Sequence, residues 1–206
     1  AGVFHAAMVL DDDFIARLDD MRMRQVLAPK LLGTWNLHHA TRNLPLDHFV
    51  LYSSIAAVVG SNGQANYVAA NRFLDALADY RRQAGLPALA VNWGAIGGVG
   101  NLVHRADVAQ YLASAGIAAI PVADALAALG KLLQRDVSCV SFAKVDWARL
   151  ARVNPALGHS PRFRDLGATT RTETAGGAMR TSLMAAAPEA RAGLLADMLQ
   201  RQIASV

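Results

Sequence analysis

His48-Phe49-Val50-Leu51-Tyr52-Ser53 is an unbroken β-favouring run that ends beside a second serine, Ser54, and gives way to a Gly/Ser/Asn loop. Residues 64–84 then read as an Ala-rich helix with Phe73, Leu74 and Leu77 at helical spacing, stopped by Gly85 and Pro87. Ala88-Leu89-Ala90-Val91-Asn92-Trp93 repeats the apolar run. Continuous apolar strands joined by a helix are the pattern of a parallel sheet covered on both faces. The same alternation extends outward in both directions. Val3-Phe4-His5-Ala6-Ala7-Met8-Val9-Leu10 predicts a buried first strand, and Asp11-Asp12-Asp13 after it supplies helix N-cap residues. Phe14, Leu18, Met21, Leu27, Leu31, Leu32 and Trp35 predict a helix over residues 13–40, kinked or restarted at Pro29. On the far side, a Gly-rich loop at 94–100 precedes short helices near 105–115 and 122–135, and Val137-Ser138-Cys139-Val140-Ser141-Phe142 reads as a fourth strand. The expected fold class is α/β with a doubly wound parallel sheet.

Composition narrows the function classes. Of 206 residues, 53% are apolar, 17% charged and 6% aromatic. With no run of eighteen uncharged apolar residues, a membrane span and a wholly disordered chain are both excluded. The single Cys139 leaves no disulfide framework or cysteine-based zinc site and points to a reducing, cytoplasmic compartment. The formal charge of +4 raises the question of nucleic acid, but residues 1–148 hold 12 Lys+Arg against 12 Asp+Glu, and residues 149–206 hold 8 against 4. The excess sits in a tail whose arginines are spread singly among Pro, Gly, Thr and Ala, so nucleic-acid binding is not expected. Ala1-Gly2-Val3-Phe4-His5 has no basic n-region and starts like the interior of a domain. Residues 154–187 lose periodicity and read as a linker, while 188–204 regain helical spacing through Leu195, Met198, Leu199 and Ile203.

Ligands of open α/β sheets gather at the carboxyl ends of the strands. Ser53 and Ser54 stand at such an end, and Tyr67 comes thirteen residues after Ser54, in the first turn of the next helix. Asn71, four residues on, shares its helical face. Lys30, one of three lysines, lies on the preceding helix. Singly, each has an ordinary structural role as a strand-end cap, a half-buried helix residue or a surface residue. Jointly they suit carbonyl reduction. A phenol titrates near ~10, so it exchanges protons near neutrality only with a cation beside it, which Lys30 can supply.

The run from Leu51 to Leu77, with Ser54, Tyr67 and Asn71 at these spacings, resembles the active-site segment of the ketoreductase domains of modular polyketide synthases, within the short-chain dehydrogenase/reductase superfamily. Val3-Phe4-His5-Ala6-Ala7 with Leu10-Asp11-Asp12, Pro29-Lys30-Leu31-Leu32-Gly33-Thr34-Trp35 and Val91-Asn92-Trp93-Gly94 add to the likeness, which covers residues 1 to about 150. Most of the superfamily carries Lys four residues after the tyrosine; these ketoreductases exchange the two positions, as Asn71 and Lys30 do. The resemblance implies that Tyr67 gives the proton to a β-keto oxygen while NADPH gives hydride, and that Ser54 hydrogen-bonds the same oxygen. Lys30 would lower the tyrosine pKa and bind the nicotinamide ribose, and Asn71 would support a water-mediated proton path. Trp93 and Gly94 would lie beside the nicotinamide, with Ala6 and Ala7 along the ribose. Leu10, Asp11 and Asp12 are similar to the substrate-orienting loop of the B-type, and Val59 stands where the A-type has tryptophan. Ala69, in place of proline, implies the subclass that does not act on an epimerised α-carbon.

The resemblance also defines what is absent. No Gly-x-Gly-x-x-Gly follows a predicted strand, and the 94–100 loop falls where the family has its substrate lid. The expectation is therefore a Rossmann-like sheet of which residues 1–153 supply only the second, catalytic half, leaving an open apolar edge and no pyrophosphate pocket. Residues 154–187 would be an inter-domain linker, and residues 188–206 resemble the first helix of an acyl carrier domain, without its Asp-Ser-Leu segment. The implied partners are a carrier domain bearing a phosphopantetheine-linked β-ketoacyl chain and the rest of the synthase. A non-catalytic fragment acting only in packing or docking is the alternative.

Overall fold

The computed structural model describes residues 1–100, 106–163, 166 and 183–204. Its contacts divide the chain into two units, Ala1–Leu157 and Gly158–Val206. In the first unit, strand β1 (Gly2–His5) leads through a single 3-10 turn at Ile15–Arg17 into helix α1 (Asp20–Thr41). Strand β2 (His48–Ser54), the short helix α2 (Ala56–Val59) and the long helix α3 (Ala65–Gln83) follow. Then come β3 (Leu89–Trp93), α4 (Ala106–Ser114), β4 (Ile117–Ala118), α5 (Val122–Leu132), β5 (Cys139–Phe142), β6 (Lys144–Val145) and α6 (Trp147–Val153). Strands β1, β2, β3 and β5 form one sheet in that order, parallel throughout, and β4 and β6 pair antiparallel in a small separate ladder.

The alternation of side chains along β2 sorts the core into two layers. Phe49 and Leu51 pack with Leu74, Leu77 and Ala78 of α3, while Val50 packs on the opposite face with Ile120 and with Ala125, Leu129 and Leu132 of α5. Helices on both faces make the sheet doubly wound, as the sequence pattern predicts. β3 is buried along its whole length, so its one polar member, Asn92, has to find partners inside the protein.

Several boundaries depart from the sequence reading. The first strand is short and lies at the sheet edge instead of being buried: Phe4 is 50% exposed, and Ala6, Ala7 and Met8 beyond it are exposed. α1 begins at Asp20, where the Asp19 side chain accepts from the Arg22 N–H at 2.8 Å, and it runs through Pro29 without restarting. Its buried face is also not the expected apolar one. Val26, Lys30, Thr34, His38 and Thr41 point inward, whereas Phe14, Met21, Leu32 and Trp35 are exposed. Polar residues can take the inner stripe because α3 presents Asn71, Asp75 and Arg81 in return. The fourth sheet strand starts at Cys139, two residues after the apolar run begins. The start of the expected linker is helical at Pro155–His159 and Pro161–Phe163, and its residues 167–182 lie outside the described residues. The C-terminal helix spans Arg191–Ala204, after a 3-10 turn at Pro188–Ala190. Among the described residues no helix is long and apolar enough to cross a membrane.

Candidate active site

β2 ends at Ser54, whose Oγ accepts the Ala56 N–H at 3.2 Å and so starts the turn into α2. Between α2 and α3 the chain reverses at Gly60 and Gly63, with φ of 79° and 71°, a region that residues with a Cβ avoid. This reversal sets Tyr67 as the third residue of α3, facing back toward the end of β2. Buried Asn66 secures the join: its Nδ2 donates to the Asp11 carbonyl at 2.8 Å, and its Oδ1 accepts the Tyr67 N–H at 2.8 Å. One turn later Asn71 is fully buried, with Nδ2 donating to the Tyr67 carbonyl at 2.8 Å and Oδ1 without a protein partner.

Lys30 enters from α1, 3% exposed, and its Nζ donates to the Tyr52 carbonyl at 2.8 Å. Burial pulls its pKa down to about 8, against the opposing pull of the Asp75 carboxylate. Burial pushes the Tyr67 hydroxyl up, while hydrogen bonding by Ser54 and Asn71 pulls it down, and the charge of Asp12 raises it further. In this structure the ammonium of Lys30 rests on the strand carbonyl, beside the end of β2.

Ser54 and Tyr67 line a cavity of about 500 Å³ together with Leu10, Asp12, Trp93 and Gly94. Lys30 and Asn71 stand behind this wall, and Ala6 and Ala7 lie at the exposed end of β1, apart from the cavity lining. Asp11 faces away: Arg22 holds the Asp11 and Asp13 carboxylates at 2.6 Å each and lowers the pKa of both. Asp12 is left to accept from Gln64 Nε2 at 2.9 Å across the cavity rim. Arg22 and Gln64 do not stand out in the sequence; the only available signals are the i+3 spacing of Arg22 from Asp19 and of Tyr67 from Gln64.

A nicotinamide cofactor would find part of its site here. The orphaned Asn71 Oδ1 behind Tyr67, the buried Lys30 and the Trp93–Gly94 wall fit its nicotinamide and ribose end. For the pyrophosphate end, the glycine loop after β3 does not serve. A Cβ on Gly94 would meet Ala143 Cβ at 2.9 Å and Cα at 3.0 Å, so this glycine is required by packing against the end of β5. Among the described residues no other glycine-rich turn joins a sheet strand to a helix N-terminus.

A parallel, doubly wound sheet with Ser54, Tyr67, Asn71 and Lys30 grouped at the carboxyl end of β2 defines a Rossmann-like fold of the short-chain dehydrogenase/reductase kind. Residues 1–98 match the family model described as KR domain, and this part of the chain belongs to the ketoreductase domains of polyketide synthases. The chain is 36% identical over 217 residues to the spectinabilin polyketide synthase system protein NorB of Streptomyces orinoci, a match covering 99% of the chain and 10% of that protein. It is 42% identical over 170 residues to polyketide synthase GfsA of Streptomyces halstedii, covering 81% of the chain and 2% of the relative. Among solved structures, A-type ketoreductases from a modular polyketide synthase share 40% identity at a TM-score of 0.72, covering 75% of this chain and 33% of theirs. The ketoreductase from the first module of phoslactomycin biosynthesis in Streptomyces sp. HK803 shares 33% identity at a TM-score of 0.74, covering 84% and 39%. The chain thus spans about a tenth or less of the length of these curated synthases and under two fifths of these ketoreductase structures.

Proposed function

We propose that this chain carries the catalytic half of a ketoreductase that reduces a carrier-bound β-ketoacyl thioester to the β-hydroxyacyl thioester with NADPH. The observation that carries the reading is the convergence of Ser54 and Tyr67 on one cavity, with buried Lys30 and Asn71 behind it. NADPH, when bound, supplies the hydride that goes to the keto carbon. Tyr67 gives its hydroxyl proton to the keto oxygen, so carbon gains two electrons as hydride and oxygen gains the proton. Ser54 hydrogen-bonds the same oxygen and holds it against the phenol. Lys30 supplies the positive charge that favours the phenolate left behind and holds the nicotinamide ribose, and Asn71 holds a water through its free Oδ1 for reprotonation. Trp93 and Gly94 flank the ring, with Ala6 and Ala7 along the ribose.

Leu10 and Asp12 at the rim, with Asp11 held back by Arg22, support B-type hydroxyl stereochemistry, and Val59 leaves the position of the A-type tryptophan without an indole. The substrate arrives on an acyl carrier domain, to whose first helix residues 188–206 correspond. The polyketide synthase relatives favour this reading over a role in packing alone. Tyr67→Phe in a ketoreductase domain containing this chain lowers kcat about 10²–10⁴-fold, the usual worth of a general acid, and leaves NADPH affinity unchanged. Unchanged turnover would remove Tyr67 from this role.

A further inference from the structure

Behind the cavity wall the buried polar groups form one connected set. Asp75 lies one turn past Asn71 and two past Tyr67 on α3, and it is the one buried carboxylate among the described residues. Its Oδ1 accepts from Asn92 Nδ2 at 2.7 Å and its Oδ2 from Arg72 Nη1 at 3.0 Å. Asn92 Nδ2 also donates to Ser53 Oγ at 2.8 Å, and Ser53 Oγ donates to the Asn71 carbonyl at 3.2 Å. The Asn92 Oδ1 accepts from Cys139 Sγ at 3.2 Å and from Ser141 Oγ at 3.4 Å, so its amide cannot turn without breaking several bonds at once. Lys30 Nζ rests on the carbonyl of Tyr52, the residue before Ser53. The carboxylate is therefore tied to the same strand end and the same helix turn that hold the ammonium and the tyrosine.

We propose that Asp75 is a positioning residue of the site: it is the internal counter-charge for Lys30, and through Asn92 and Ser53 it fixes the turn that carries Asn71. The proposal rests on the reading of Lys30 as the cation of a ketoreductase site. A buried ammonium without a counter-charge is costly, and the other groups facing Lys30 do not provide one. His5 on β1 is neutral or positive, with its pKa lowered by burial and by Lys30 itself. Tyr67 is held neutral by burial, and Arg72 adds positive charge from the outer side of Asp75. Asp12 acts on Tyr67 from the cavity side. Burial draws Lys30 down to about 8, and the Asp75 charge works against that fall.

The three lysines make the coupling directly visible. In the full 206-residue chain labelled with ¹³C-lysine, Lys30 is the buried one, Lys131 and Lys144 are exposed, and Lys30→Arg assigns the signal. Asp75→Asn keeps the shape and removes the charge; it lowers the Lys30 midpoint by about one pH unit and leaves the other two in place. Asp75→Glu, which restores the charge, returns the midpoint toward that of the parent. An unmoved midpoint in a folded Asp75→Asn chain overturns the proposal. If that variant fails to fold, the parent chain decides: the Asp75 carboxyl carbon shifts as Lys30 titrates and stops doing so in Lys30→Met. A carboxyl signal blind to Lys30 overturns the proposal equally. None of these signals needs NADPH or turnover, so loss of the coupling and loss of the ketoreductase reading are recorded separately.

Discussion

In the proposed site, Lys30 sets catalysis and stability against each other. Burial lowers its pKa from the ordinary 10.5 to about 8, so between these values the unfolded chain binds more protons than the folded one. Stability contributed by this group is therefore lowest below about 8 and rises as pH climbs toward 10.5, while the cation available to Tyr67 disappears over the same interval. The shift corresponds to about 3 kcal/mol at most. Lys30→Met should abolish this alkaline rise in urea-denaturation midpoints between pH values of about 7 and 10 and should match or exceed the parent's stability near neutrality. Retention of the full rise would show that Lys30 is not its source. Of the proposed catalytic set, Ser54, Tyr67, Asn71 and Lys30 could be picked out because the spacing thirteen, four and the preceding helix are written in one dimension. Asp75 and Asn92 are not, although Asp75 sits at i+4 from Asn71, because only the fold shows that a strand asparagine and a helix carboxylate meet.

At the scale of elements, the seam between α1 and α3 is polar, and its far end is closed by Arg81. This side chain is fully buried, with its guanidinium carbon 3.8 Å from the Phe49 ring centroid. Its Nε donates to the Pro87 carbonyl at 3.1 Å, and Nη1 lies 3.1 Å from His38 Nδ1. Arg81→Ala loses a desolvated cation–π contact and these hydrogen bonds, a cost of about 3 kcal/mol measured by chemical denaturation. A cost under about 1 kcal/mol would show that α3 is held by its apolar residues alone. Burial, and then Arg81, lower the His38 pKa, so folding favours the neutral ring. Its contribution is complete above about 6.5 and is lost as pH falls, because the unfolded chain takes up the proton first. The polar seam is also why the apolar spacing in residues 13–40 misleads: Met21, Leu32 and Trp35 look inward on a helical wheel, but the helix turns that side to the outside, and Phe14 precedes the helix altogether.

For the whole molecule, the alternation of apolar strands and helices decides the fold class, because both faces of β2 and β3 are covered and a continuous apolar run can mean little else. β1 borders the sheet among the described residues, and there its apolar run leaves Phe4 half exposed, as the expected open apolar edge requires. The cavity suits a nicotinamide end, without a glycine-rich pyrophosphate turn among the described residues. NADPH fluorescence titrated against the 206-residue chain is expected to stay flat at micromolar protein, and to respond when the chain is part of a complete ketoreductase domain. A response from the chain alone would show that the pyrophosphate end is held by its own residues.

Cys139 opens β5, the strand at the other margin of the sheet, and its thiol is half-buried, pushed up to about 12 by burial and bonded to Asn92. A thiol so rarely ionised is nearly inert to alkylating reagents while the strand stays docked. With no second cysteine in the sequence, each labelling event therefore counts one detachment of that strand, and the protein carries a clock for its own opening that needs no engineered probe.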